Sequence, residues 1–197
     1  SRTIVTMIIS LFTSRIILDA LGVEDYGIYN VVGGVVTMFS VISGAMSSSI
    51  SRFITFELGK NNKEKLQKIF STSINIQIFI SIIIIILGET IGLWFVTNIM
   101  SIPTNRIYAA EWVLHCSLFS FCLNLLSIPY NACIIAHEKM SAFAYISILE
   151  VVLKLIIVYL LYLSPFDKLQ TYSILFLCVA IIIRITYGIY CNRHFKE

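Results

Sequence analysis

Few residues in this chain are equipped for chemistry, and most of those are carried inside long apolar runs. Arg2, Arg15, Lys154 and Arg184 lie in such runs, as do Glu89, Glu111 and Glu150. A cation at the centre of a bilayer costs about 2.5–3.5 kcal/mol on insertion scales, so each is expected to face a partner or a wet cavity. Lys154 is the deepest cation. Glu150 precedes it by one helical turn on the same face, the favourable order for a pair. Two readings stay open: a neutralised pair that joins helices, or a cationic site for an anionic headgroup. Arg15 is close enough to the end of its run to snorkel to an interface. Arg184 lies nearer the opposite face, and packing is open for it too. His115 and Glu111 share one helical face, which suits a proton relay or an interfacial polar pair.

No reaction centre stands beside these charges. The sequence has no Gly-rich phosphate loop followed by Lys-Ser, no HExxH and no nucleophile elbow. Cys116, Cys122, Cys133, Cys178 and Cys191 show no CxxC spacing, and four of these five sit well inside apolar runs. They read as small hydrophobes, not as disulfide partners or metal ligands. An enzyme is not expected, nor a cofactor, a metal or a nucleic-acid partner.

The elements that hold these residues are set by the solvent. Of 197 residues, 58% are hydrophobic and 13% charged, where a soluble domain carries about 25% charge. Mean hydropathy is +0.89. Runs of about 18 or more apolar residues recur, each long enough for a hydrocarbon core about 30 Å thick. In lipid the backbone must bond to itself, as helices or a closed barrel. Ile82-Ile83-Ile84-Ile85-Ile86-Leu87 does not alternate in polarity as a barrel strand would, so helices are expected. The expected fold class is all-α, a polytopic membrane protein. Six spans are expected, near 3–18, 26–50, 74–97, 107–136, 142–163 and 172–190, with a cytoplasmic interfacial helix in segment 52–70. In that segment Leu66, Ile69 and Phe70 share a face away from Lys65 and Lys68, which suits packing or lipid anchoring. Span two is rich in small residues, including Gly33, Gly34, Ser43 and Gly44, which let helices approach closely or leave a lining where a ligand or a moving helix must fit. Pro129 is expected to kink span four, with Asn124 and Asn131 placed to satisfy freed carbonyls.

Basic residues orient the bundle. The even-numbered connections and the tail hold Arg52, Lys60, Lys63, Lys65, Lys68, Lys139, Arg193 and Lys196, against Arg106 and Lys168 on the other side. That bias puts the even connections and the amino terminus in the cytoplasm. Trp94 and Trp112 flank the Pro103 turn, as an outer aromatic belt would. Apolar Thr3–Leu18 follows Ser1 with no charged n-region or cleavage site, so no signal peptide is expected. It reads as a helix entered partway, and the sequence is expected to be a fragment.

One stretch is distinctive. Ser14-Arg15-Ile16-Ile17-Leu18-Asp19-Ala20-Leu21-Gly22-Val23-Glu24-Asp25-Tyr26-Gly27-Ile28-Tyr29-Asn30 resembles the junction of the first two helices in bacterial polysaccharide biosynthesis proteins. These are the Wzx-like O-antigen and lipopolysaccharide flippases of the multidrug/oligosaccharidyl-lipid/polysaccharide exporter superfamily. Ser51-Arg52-Phe53 with Glu57-Leu58-Gly59-Lys60, and Ile128-Pro129-Tyr130-Asn131-Ala132 with Ala136-His137-Glu138-Lys139, are similar to later parts of the same proteins. The resemblance implies two lobes around a central cavity, of which this chain is the amino-terminal one, lacking the start of its first helix and the carboxy-terminal lobe. It implies transport of an undecaprenyl-pyrophosphate-linked oligosaccharide across the bacterial inner membrane, in lipopolysaccharide, O-antigen or capsule biosynthesis. Cavity cations would hold the pyrophosphate, with Arg15 and Arg52 indicated by motif and Lys154 and Arg184 on physical grounds alone. Partners would include membrane lipid, a glycan polymerase and glycosyltransferases. Two alternatives stand beside this: a multidrug or ion antiporter of the same superfamily, coupling a proton or sodium ion through Glu150, Glu89 or Glu111, and a nontransporting scaffold of a glycan-assembly complex.

Overall fold

The computed structural model describes residues 2–60, 62–100, 102–103, 105–163 and 167–194, and their side chains apart from 2–6, 8–12, 42 and 163. Among the described residues the regular elements are helices, with no strand: α1 (Arg2–Thr37), α2 (Ser40–Gly59), α3 (Lys63–Asn98), α4 (Ile107–Ala136), α5 (Met140–Leu163) and α6 (Lys168–His194). The last four are long and apolar enough to cross a membrane. The all-helical, polytopic membrane architecture is the one expected.

Helix α4 is the hub, in contact with every other helix. Half of its most apolar stretch is buried, against 22–28% for α3, α5 and α6, so the outer three keep most of their surface for lipid. Ile78, Phe79, Ile82 and Ile86 of α3, Ile156 and Tyr159 of α5, and Ile181 and Ile185 of α6 are exposed. An apolar belt of that extent is not compatible with water. Helix α3 inverts the pattern of a soluble helix. Its buried stripe is Ser73, Gln77, Ser81, Ile84, Gly88 and Gly92, mostly small or polar, while its other isoleucines are exposed or half-buried. Lipid gives apolar side chains no reason to turn inward, so small residues and hydrogen-bonding groups take the helix contacts.

Two features of α3 fix its fit to α4. Residues Gly88–Gly92 form a π-helical turn. A Cβ at Gly88 would lie 2.4 Å from Leu118 Cδ2, and one at Gly92 3.3 Å from Leu114. Glycine lets the helices meet there.

Several helix boundaries differ from expectation. The first helix does not stop at Leu18. It reaches Gly22, whose φ of 82° and ψ of 166° break the helical path, and resumes at once through Tyr26 to Thr37. A residue with a side chain is strained in that backbone state, so one glycine does the work assigned to the connection at 19–25. The span expected at 26–50 is interrupted at Met38–Phe39, where Phe39 N bonds to Val36 O, a tightened turn. No separate interfacial helix occurs among the described residues of 52–70. Helix α2 continues to Gly59, and α3 starts at Lys63 with Asn62 Oδ1 accepting from Lys65 N at 3.2 Å. Leu66, Ile69 and Phe70 turn inward: Leu66 is buried, and Phe70 meets the Tyr130 ring edge-on at 5.1 Å. Pro129 sits within continuous α4, and neither Asn124 nor Asn131 bonds to a freed carbonyl among the described residues; Asn131 Oδ1 is buried without a partner.

Candidate functional site

The two ends of the bundle differ in chemistry. At one end the residues just before α4 and α6 meet α1 close to its Gly22 break. Arg106 holds Asp167 at 2.6 Å and Asp25 at 3.3 Å. Asp167 also caps α6, its Oδ1 accepting from Leu169 N at 3.0 Å. Burial pushes the Asp25 carboxyl above its ordinary value; Arg106 opposes this, and the charges of Asp167 and Glu24 add to it. Exposed Trp94, Tyr108 and Trp112 ring this end. At the opposite, basic end, Leu66 and Gln67 of α3, Cys133 and His137 of α4, and Cys191 and Asn192 of α6 enclose a cavity of about 420 Å³.

Between the ends lies a second cavity with polar lining. A cavity of about 400 Å³ opens between the second half of α1, α4 and α6. Asn30, Thr37, Ser117, Ser120 and Asn124 supply amides and hydroxyls; Tyr29, Phe121 and Phe176 supply ring faces and edges. Ser120 Oγ is buried there with no partner. Asn124 and Phe176 also line a smaller adjoining pocket of about 30 Å³, whose other walls include Glu150 and Lys154. Lys154 Nζ donates to Glu150 Oε1 at 2.6 Å and lies 5.3 Å from the Phe176 ring centre. Lys154 and Glu150 thus stand beside the cavity as a pair. A paired ammonium costs less in apolar surroundings than a bare one.

The remaining charged residues are dispersed. Arg184 stacks its guanidinium on Tyr130 at 4.1 Å, at the wall of the basic-end cavity. Arg15 and Arg52 are exposed, with no partner among the described residues. The side chain of Arg2 lies outside the described residues. The expected pairing of His115 with Glu111 is not formed. His115 Nδ1 instead meets Glu89 Oε1 at 2.7 Å, across α4 and the π-helical turn of α3. Intrahelical spacing favoured Glu111, but the close approach at Gly88 and Gly92 brings Glu89 nearer. Glu111 is half-buried, without a partner among the described residues. The free cysteines are mostly buried, and no group of three or more metal-ligating side chains occurs among the described residues.

The central cavity was not anticipated. Its signal was present: Ser117, Ser120 and Asn124 recur at helical spacing along one face of an otherwise apolar span. The facing residues Asn30 and Thr37 flank Gly33 and Gly34, small residues that suit close packing or a lining for a ligand or a moving helix.

The described helices thus form an apolar bundle with a polar cavity and an ion pair at mid-helix. Residues 2–160 match the MatE family, and the chain belongs to that family of the multidrug/oligosaccharidyl-lipid/polysaccharide exporter superfamily. Its members are transporters rather than enzymes. A protein of Bacillus subtilis (strain 168) described as uncharacterized membrane protein EpsK is 26% identical over 100 residues, which is 51% of this chain and 20% of that protein. The chain therefore spans only a small part of that relative's length. No solved structure matches it.

Proposed function

We propose that this chain is the amino-terminal lobe of a flippase that moves an undecaprenyl-pyrophosphate-linked oligosaccharide across the bacterial inner membrane for lipopolysaccharide, O-antigen or capsule synthesis. The observation that carries this reading is Lys154 beside a cavity lined with amides, hydroxyls and aromatic rings. Sugar hydroxyls need hydrogen-bonding partners, and their apolar ring faces pack on aromatics. A pyrophosphate needs charge-assisted bonds on leaving the headgroup region. In this scheme the phosphate takes Lys154 from Glu150, and alternating access carries it across without exposing bare charge to lipid. Arg184 receives the pyrophosphate at the basic end, which faces the cytoplasm with the amino terminus; the Asp25–Arg106–Asp167 end faces outward. The lobe is assigned six spans in this scheme, and Arg15 and Arg52 are left for the second lobe or the phosphate. A glycan polymerase and glycosyltransferases are the working partners.

The test is Lys154→Ala in the full-length protein. Glycan export is expected to fall at least about tenfold, the loss of one charge-assisted contact of about 1.5–3 kcal/mol, with membrane insertion unchanged. Loss of folded protein without a specific loss of export would make Lys154 structural. An ion-coupled multidrug antiporter is the second reading, favoured by the Glu89–His115 contact at 2.7 Å. It predicts that Glu89→Gln abolishes cation efflux while lipid-linked sugar never moves.

A further inference from the structure

Between α2 and α3, at the basic end, runs a groove of about 530 Å³ that belongs to neither cavity above. Its walls include Ile50, Phe53, Ile69 and Ile76, and Lys65 and Lys68 stand at one end of it. Both lysines are exposed, and neither ammonium has a hydrogen-bond or ion-pair partner among the described residues. Along α3 the lining runs from Lys65 to Ile76, about 16 Å at 1.5 Å per residue. That is about the depth of one leaflet of a hydrocarbon core roughly 30 Å thick.

We propose that this groove is a binding site for an anionic phospholipid, with one acyl chain along the apolar walls and the phosphate between Lys65 and Lys68. The match has two independent parts. Two unpaired ammonium groups one turn apart on α3 offer a phosphate a two-sided cationic clasp, and basic residues at a membrane surface attract anionic lipid. The apolar lining then continues inward for a leaflet's depth, which a free phosphate would leave unused. Phe53 and Ile76 are exposed, so the groove is open to the bilayer, from which a chain enters sideways. The site requires only that the basic end lie at a membrane surface, and it does not depend on the cargo of the transporter.

The experiment is native mass spectrometry of the full-length protein in mild detergent, titrated with phosphatidylglycerol and phosphatidylcholine of identical chains. Phosphatidylglycerol is expected to bind about tenfold more tightly, from two lysines near a surface. Lys65→Gln/Lys68→Gln should bring the two lipids within about twofold, and Lys65→Arg/Lys68→Arg should keep the preference. Ser49→Trp, which fills the groove and leaves both lysines, should weaken both lipids. Millimolar inorganic phosphate should displace neither. Equal retention of the two lipids by the wild-type protein, an undiminished preference in the Gln variant, or displacement by inorganic phosphate would each overturn the proposal. So would a photoreactive residue at Thr72 that crosslinks to protein and not to lipid.

Discussion

Gly88 and Gly92 both face α4, yet alanine at the two positions should act in opposite directions. In a helix interior Gly→Ala gains about 0.8–1.0 kcal/mol of intrinsic propensity. At Gly92 the new methyl would meet Leu114 at 3.3 Å, a contact relieved by a shift of a few tenths of an ångström. The propensity gain should survive, and Gly92→Ala should be stabilised by up to about 0.5–1 kcal/mol. At Gly88 the methyl would lie 2.4 and 2.5 Å from the two Cδ atoms of Leu118 and 3.0 Å from its Cγ. Leu118 is 1% exposed, so its side chain has nowhere to turn. Overpacking of that kind costs about 1–3 kcal/mol, and after the propensity gain a net loss of up to about 2 kcal/mol remains. Displacing the turn should also part Glu89 from His115. The assay is thermal unfolding of purified full-length protein in detergent, with Leu118→Ala as the second arm. Gly88→Ala/Leu118→Ala should be more stable than the sum of the single changes, because the smaller side chain makes room for the methyl. A Gly88→Ala protein as stable as Gly92→Ala, or strict additivity with Leu118→Ala, would refute the packing argument.

Further outcomes follow from the two ends of the bundle. Arg106→Ala leaves the buried Asp25 carboxylate uncompensated and should cost about 1–3 kcal/mol, most of it recovered in Arg106→Ala/Asp25→Asn. Because the folded chain raises the Asp25 pKa, its carboxylate subtracts from stability at neutral pH; the penalty fades as pH falls through the raised pKa and is gone below the ordinary value of 3.8. Asp25→Asn alone should therefore be more stable than wild type at pH 7, with the advantage shrinking on acidification; thermal unfolding against pH reads this. At the basic end, Tyr130→Leu removes the ring under Arg184 and should cost about 0.5–2 kcal/mol, while Tyr130→Phe stays near wild type in the same assay.

How much of this was legible in the sequence depended on the range of the interaction. The bilayer imposes a property on every residue, so apolar runs were enough to mark the helices α3 to α6. The Lys154–Glu150 pair is a contact within one helix and follows from spacing alone. The Glu89–His115 contact depends on how α3 lies on α4, which is decided by two glycines and a π-helical turn that periodicity does not reveal. Segment 52–70 misled for a related reason. Leu66, Ile69 and Phe70 form an apolar face whether its partner is lipid or another helix, and only the position of Tyr130 on α4 decides between them. The central cavity went unread because Ser117, Ser120 and Asn124 lie on α4 while Asn30 and Thr37 lie far away in sequence, and neither group alone outlines a space.

The central proposal is that the full-length protein translocates a lipid-linked sugar, and reconstitution tests it most directly. Proteoliposomes would carry a fluorescent undecaprenyl-pyrophosphate oligosaccharide in one leaflet, with a membrane-impermeant quencher outside. Quenching that requires the protein, and that drops at least about tenfold with Lys154→Ala, is the predicted result. No movement under any proton or sodium gradient, with efflux of organic cations from the same vesicles, would contradict it.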